Sequence, residues 1–387
     1  MAVDAPTAPT STSVPHVPIA TDPAELRGIL RAWFDAHPAP DLRSHDGAFD
    51  PGLDAATIAA ERRWQRTLAE AGLAGIAWPE EFGGRGASPL QQLIFQEELQ
   101  RAGGGPPHLF FVGLSHAGPT LIAHGTAEQR ERFLPGVLRG DLVFCQLFSE
   151  PGAGSDLAGI ASFAEVRGDH LVVSGEKRWS TLAQHADHAE LLVRTDRSHK
   201  QGGLTFAILD MASPGITVRP VRTLSGSPEF CEVFLDEVRV PLTDVVGGVG
   251  NGWKVATTTL AHERSTAFAP HVLMLQQTVA RLAAVVVDDP VASSEVARLA
   301  IRALALRALL ERSVAEQEHA EPGPAASAMK LLTSELNLDV TRCAARMGID
   351  LIAYFDAFGL RIGGGTSEIQ RSILGERVLG LPREPRA

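Results

Sequence analysis

The strongest constraint on how this chain folds is the period of its apolar residues, which changes twice. From residue 23 to about 139 they recur at spacings of three and four, as in PAELRGILRAWFDAH, ATIAAERRWQRTLAEAGLAGI and SPLQQLIFQEELQRAG, the period of amphipathic helices. From about residue 141 the chain breaks into short β-rich runs such as LVFCQLF, DHLVVSGE, AELLVRTD, LTFAILDM and CEVFLDEVRVP, separated by Gly, Asp, Ser and Pro turns. A glycine cluster at 247–252 ends that texture, and helical spacing resumes in WKVATTTLAHERSTAFAPHVLMLQQTVARLAAVVV. Strands are thus collected in one block and do not alternate with helices, which argues against a doubly wound dinucleotide-binding fold and predicts an α+β chain. The expected layout is a disordered tail over 1–20, an N-terminal α-helical domain over 21–140, a middle β-domain over 141–246 and a C-terminal α-helical domain over 247–387.

Apolar residues make up 44% and charged residues 21%, so a packed core is possible along most of the length. The Pro-, Thr- and Ser-rich start is the exception. A net charge of -11 with scattered Lys and Arg argues against a nucleic-acid binder. It does not exclude a nucleotide cofactor, because phosphates are held by local N–H groups and single cations. Cys145, Cys231 and Cys343 are far apart and lack C-x-x-C spacing, which suggests neither a disulfide framework nor a thiolate metal site and fits a reducing, cytoplasmic compartment. The start of the chain reads as neither a secretory signal nor an anchor, and the longest apolar runs fall short of the roughly 20 residues that span a bilayer.

Several segments carry chemistry. QLFSEPGAGSD at 146–156 follows an apolar strand and turns at Pro151, Gly152 and Gly154, small residues that let a backbone approach a flat ligand. It lacks the third glycine of a dinucleotide fingerprint. Further on, GEKRWST sets Trp179 and Thr181 two apart, hence on the same face of a strand. Trp253, Ala256, Leu260, Glu263 and Ala267 form a helical stripe, so Glu263 is a carboxylate on an apolar face whose pKa burial would raise toward that of a working base. Ser367 and Gln370 have capping-box spacing, which predicts a helix directly after the glycines at 363–365. Ser327-Ala-Met-Lys330 fits S-x-x-K, but no K-T-G follows. His185 and His188 lack a third ligand, and no metal site is expected.

The phrases WPEEFGGRG, HGTAEQRERFLPGVLRGD, SEPGAGSD, EVFLDEVRVP, GNGWKVATTTLAHER and GGTSEIQRSILGERVLGLP, in that order, resemble the acyl-CoA dehydrogenase family from residue 23 onward. The resemblance implies two helical domains flanking a β-domain, FAD as cofactor, and α,β-desaturation of acyl-CoA or an acyl carrier protein thioester to the trans-2-enoyl thioester. It implies that Gln146, Phe148 and Ser149 line the flavin, that Trp179 covers its ring, that Thr181 bonds near N5, and that Gly364, Gly365, Thr366 and Glu368 receive the rest of the cofactor. Ser155, Arg264 and Gly364 would meet the substrate. An electron-transfer flavoprotein would reoxidise the cofactor, and the chain would form a homo-oligomer or pair with a second acyl-CoA dehydrogenase subunit.

The sequence departs from one branch of the family at Gly364, where that branch carries its catalytic Glu. A glycine keeps its N–H for polarising a thioester carbonyl but accepts no proton. In other members the base comes from an L-x-x-E-R helix, which Leu260-Ala-His-Glu263-Arg264 matches, so Glu263 is the expected base. The family's R-x-x-F-G and Q-x-x-G-G phrases, which hold the ADP half of FAD from a neighbouring subunit, are missing here. Two other readings keep the fold: a flavin-dependent monooxygenase, and a catalytically silent subunit of a hetero-oligomeric dehydrogenase.

Overall fold

The computed structural model describes residues 16–40, 54–104, 108–262, 268–286, 289–318 and 324–382. The helices α1 (Pro23–Ala36), α2 (Ala55–Glu70), α3 (Pro89–Arg101), α4 (Gly118–His124) and α5 (Ala127–Arg139) come first. Local chemistry starts them. The Asp22 carboxylate accepts the Glu25 N–H at 2.8 Å ahead of α1, and Ser88 and Gln91 close a reciprocal capping box on α3 just before Pro89 and beyond. α1 buries Leu26, Leu30 and Phe34, one per turn, in the core of this helical layer.

Part of the tail expected over 1–20 belongs to the fold. Residues 1–15 lie outside the described ones, whereas Val17 is buried, its N–H donates to the Ala71 carbonyl at 2.9 Å, and its carbonyl accepts from Arg85 Nη1 at 3.1 Å. With its side chain in the core and both backbone groups satisfied, this residue belongs to the fold despite its Pro-rich surroundings.

The strands β1 (Phe144–Leu147), β2 (Phe163–Arg167), β3 (His170–Thr181), β4 (His188–Arg194), β5 (Leu204–Asp210), β6 (Ile216–Val221), β7 (Phe230–Pro241) and β8 (Val245–Val246) form one sheet in the order β6-β7-β3-β2-β4-β5-β8, with β1 alongside β4. β1 and β2 run parallel to β4, and the other pairings are antiparallel. β4 and β5 are buried along nearly their whole length because both faces are covered. Leu192, Phe206 and Ile208 join the core shared with the N-terminal helices, while Leu191, Ala207 and Leu209 join the inner core with β3 and β7.

Helix α6 (Gly252–His262) lies on β5, so closely that a Cβ on Gly252 would stand 2.5 Å from the Thr205 carbonyl carbon. The Thr120 and Thr259 hydroxyls at 2.8 Å, and His124 Nε2 and the Thr258 hydroxyl at 2.8 Å, tie α6 to α4. The face that α6 buries matches the stripe expected from its apolar residues only in part. Gly252, Val255, Ala256 and Thr259 are buried, and Trp253 and Leu260 only half-buried. Glu263 and Ala267 lie outside the described residues. The chain closes with α7 (Ala269–Val285), α8 (Pro290–Gln317), α9 (Pro324–Arg346), α10 (Leu351–Ile362) and α11 (Ser367–Ile373). α7, α8 and α9 share a core that includes Leu275, Leu306 and Met329, and α10 and α11 pack on α9. Among the described residues no helix is long and apolar enough to cross a membrane.

Candidate active site

Gln146 sits on β1 opposite Glu190 of β4, and its Nε2 donates to the fully buried Glu190 Oε2 at 3.2 Å. Past the strand, Phe148 is buried edge-on to Phe206, with ring centroids 5.9 Å apart. The turn is anchored from β3. Lys177 Nζ donates to the Phe148 carbonyl at 3.2 Å, the Leu192 carbonyl at 2.6 Å and Glu150 Oε1 at 2.9 Å, and the Arg178 N–H donates to the Ser149 carbonyl at 2.9 Å. Glu150 also accepts the Ala161 N–H at 2.6 Å and the Ser162 N–H at 3.0 Å. Burial pulls Lys177 down to about 8 against the opposing charge of Glu150. Burial pushes Glu150 up, but Lys177 and the N–H donors outweigh it and hold the carboxyl below its ordinary range. Beyond this anchor Gly152, Gly154 and Ser155 are exposed, and a Cβ on either glycine would meet nothing within 4 Å.

The even spacing of Trp179 and Thr181 does not carry them to one face as an unbroken strand would. The β3–β7 ladder is interrupted between Lys177 and Ser180, and Trp179 takes a left-handed φ of 62° at the break. Its indole is 53% exposed, edge-on to Phe230 at 5.9 Å, with the Arg178 guanidinium 5.1 Å from the ring centroid. Leu182 is left-handed as well, with φ 53°. Two non-glycine residues in this region cost about 1–3 kcal/mol each and persist only where the surroundings impose them, a pattern that clusters at functional sites. Between them, Ser180 Oγ is buried with no hydrogen-bond partner among the described residues, and Thr181 is half-buried. The structure therefore brings residues 148–150 beside 177–178, and leaves Trp179 exposed with Thr181 half-buried two residues on.

Gly364 and Gly365 have φ of 64° and 90°. The residue that caps the following helix is Thr366, whose hydroxyl accepts the Ile369 N–H at 3.2 Å, not Ser367 as the spacing predicts. Gln370 is drawn away from a capping box because its Nε2 donates to the Gly364 carbonyl at 3.0 Å. Glu368 lies exposed in the first turn of α11, its carboxyl lowered by its own backbone N–H and the Thr366 hydroxyl. Glu263 and Arg264 lie outside the described residues, so nothing is added to their expected roles.

The sequence reading missed the ions under the site. Glu150, Lys177 and Lys330 are buried, although charged residues at such positions ordinarily read as solvated. It also missed Glu229, which precedes Phe230 and gives its carbonyl to the Leu182 N–H at 2.8 Å. Burial, then the negative charge of Asp356 on α10, pushes the Glu229 carboxyl up to about 7. No signal along the chain marked it: Glu229 is placed by the pairing of the next residue, Phe230, with Thr181.

Residues 22–141, 145–238 and 250–379 match the N-terminal, middle and C-terminal domains of acyl-CoA dehydrogenases. The chain is 36% identical over 388 residues to acyl-CoA dehydrogenase IpdE1 of Mycobacterium tuberculosis, covering 94% of this chain and 99% of that protein. It is 34% identical to IpdE1 of Mycolicibacterium smegmatis, covering 93% and 98%. Among solved structures, the Tcur3481-Tcur3483 steroid ACAD superposes with a TM-score of 0.82 at 31% identity, covering 95% of this chain and all of that one (100%). The ChsE4-ChsE5 complex from Mycobacterium tuberculosis superposes at 0.77 and 30% identity, covering 94% and 99%. The chain belongs to the acyl-CoA dehydrogenase family, oxidoreductases that use FAD. The residues present fit such a cofactor: an indole held outward by a left-handed backbone, a buried Ser180 hydroxyl without a hydrogen-bond partner among the described residues, and an open glycine turn that follows the segment bonded to Arg178.

Proposed function

We propose that this chain is an FAD-dependent acyl-CoA dehydrogenase that converts a bulky, steroid-type acyl thioester to its trans-2-enoyl thioester. The observation that carries the reading is the anchoring of residues 148–150 against 177–178, with Trp179 turned to the surface. Phe148, Ser149 and Gln146 form one wall, Trp179 covers the ring, and Thr181 reaches the cofactor edge. Gly365, Thr366 and Glu368 receive the phosphate-bearing half through backbone N–H groups. Ser155 and Arg264 orient the thioester arm, and the Gly364 N–H polarises its carbonyl. Glu263 accepts the α-proton, for which its L-x-x-E-R setting is the support. Bound FAD supplies the acceptor for the hydride equivalent that leaves the β-carbon. Steroid-type substrates are supported by the 31%-identical steroid ACAD.

A paired assembly with a second acyl-CoA dehydrogenase subunit is favoured by the missing FAD-contacting phrases and by the ChsE4-ChsE5 complex among the structural relatives. The exposed Leu351, Ile352, Phe358 and Ile362 of α10 offer an apolar face for it. An electron-transfer flavoprotein is the proposed oxidant, and the three buried free thiols suit a cytoplasmic location.

Anaerobic titration of the purified flavoprotein with a panel of acyl thioesters is expected to bleach the flavin. Glu263→Gln should stay yellow and folded and lose that bleaching. Unchanged bleaching sinks the assignment of the base, and a wild-type protein that no thioester bleaches sinks the dehydrogenase reading.

A further inference from the structure

His108 follows α3 in the chain, and His271 stands in the first turn of α7. The two imidazoles are near enough for the charge of one to act on the other: burial, then His271, pulls His108 down to about 4. Burial lowers His271 as well. Each residue is nevertheless only half-buried, so both face a recess and not the packed core. Aromatic rings flank them. Phe268 lies 5.7 Å from His271 between ring centroids, and the half-buried Phe111 donates its N–H to the His108 carbonyl at 3.4 Å.

A third polar group reaches the same level. α8 runs antiparallel to α3, because the Leu90 N–H donates to the Glu318 carboxylate at 2.7 Å and Glu97, further along α3, pairs with Arg307, earlier on α8. α7 and α8 are joined by the short connection 286–289, run antiparallel, and both pack on α3. All three helices rise by about 1.5 Å per residue, so Gln100, one turn beyond Glu97, comes level with the first turn of α7. It is also on the right face. Leu93, Glu97 and Gln100 follow one another at i, i+4 and i+7, and Leu93 is buried in the core with Val272 and Leu275. Both amide atoms of Gln100 and Nδ1 of His271 are buried with no hydrogen-bond partner among the described residues. Leaving such groups unmet is costly, so their retention points to a polar group that meets them.

Their chemistry defines that group. Neutral imidazoles and an amide both donate to and accept from a hydroxyl, or donate to a ketone, whereas a carboxylate or phosphate is best met by a cation. The flanking rings suit the carbon body that carries the oxygen. Glu263, the proposed base, lies between α6 and α7 in the chain, a few residues before His271.

We propose that His108, His271 and Gln100 form a subsite that reads an uncharged oxygen, a ketone or hydroxyl, on the body of the acyl group, away from the reacting carbons. This rests on the reading of the chain as a dehydrogenase of bulky acyl thioesters and adds the feature by which it selects among them.

The test uses the flavoprotein, with its partner subunit if FAD binding requires one, and the variants His271→Phe and Gln100→Leu. The probes are bicyclic alkanoyl-CoA thioesters with a ketone or hydroxyl at different ring positions, each paired with its deoxy counterpart. For at least one pair the wild type is expected to show a KM about tenfold lower for the oxygenated member, the worth of about one hydrogen bond. The kcat values should agree within about twofold, because a contact remote from the reacting carbons is the same in the ground and transition states. In each variant the preference should fall to about twofold or less through a higher KM for the oxygenated member alone. Wild-type KM values within about twofold for every pair, a preference that survives in either variant, or a variant that raises both members alike overturns the proposal. If one variant does not fold, the other decides. A wild type that bleaches with oxygenated and deoxy members equally loses only this subsite, whereas one that no thioester bleaches loses the dehydrogenase reading as well.

Discussion

Lys177 Nζ lies 2.9 Å from Glu150 Oε1 inside the β-domain, and neither side chain is more than 7% exposed. The same ammonium holds the Phe148 and Leu192 carbonyls, so one buried cation joins the proposed flavin wall to β4.

Removing one member of such a pair strands the other charge in the interior, which costs about 3–5 kcal/mol. Lys177→Met should therefore lower the unfolding free energy by about that much and release the 148–150 turn, with FAD lost in parallel. Lys177→Met combined with Glu150→Gln should recover part of the stability, because no bare carboxylate remains. Denaturant titration of the single and double variants measures this; a single variant as stable as wild type would contradict the pairing.

Trp179 combines a left-handed backbone with a 53% exposed ring, so little of the fold depends on its side chain. Trp179→Gly is expected to leave the flavin-free protein within about 1 kcal/mol of wild type, since relief of the left-handed cost offsets lost packing. A core tryptophan would cost about 3–5 kcal/mol. FAD affinity should drop sharply in the same variant. Thermal scans of the flavin-free protein with FAD titration separate the two effects.

Glu229 predicts a pH dependence with a definite sign. Its carboxyl rises from 4.5 to about 7 in the folded protein, so the folded state binds more protons than the unfolded state between those values. The stabilisation is complete below 4.5 and fades as pH climbs through about 7. Glu229→Gln should flatten that part of the stability curve, and Asp356→Asn should move it to lower pH. Denaturant midpoints across the range test both; a Glu229→Gln curve that parallels wild type refutes the shift.

Gly152 and Gly154 distinguish a turn built for the fold from one built for a ligand. Neither has a left-handed φ, and a Cβ on either would meet nothing within 4 Å. Gly154→Ala should leave the stability of the flavin-free protein unchanged or slightly raised, by up to about 1 kcal/mol. A ligand that comes close to the backbone there would bind less tightly. Equal ligand affinity in Gly154→Ala and wild type would show that no ligand needs the missing Cβ.

What the sequence determined by itself is local. The change from helical to strand period and back, the Ser88–Gln91 capping box before α3 and the glycine turn after β1 all depend on residues within a few positions of one another, and all are present. Even local chemistry left one ambiguity: Thr366 and Ser367 are both able to cap α11, and the choice went to Thr366 because Gln370 is engaged by Gly364. Only the tertiary structure decided which charges are buried and which backbone is bent. Lys177 finds Glu150 across 27 positions and Leu192 across 15, and Lys330 finds Gly365 across 35. The ladder break that turns Trp179 outward arises from the register of β3 on β7. Those partners are set by strand register and helix docking, which satisfy a buried ion or strain a φ angle only after distant segments have met, and no periodicity along the chain records them.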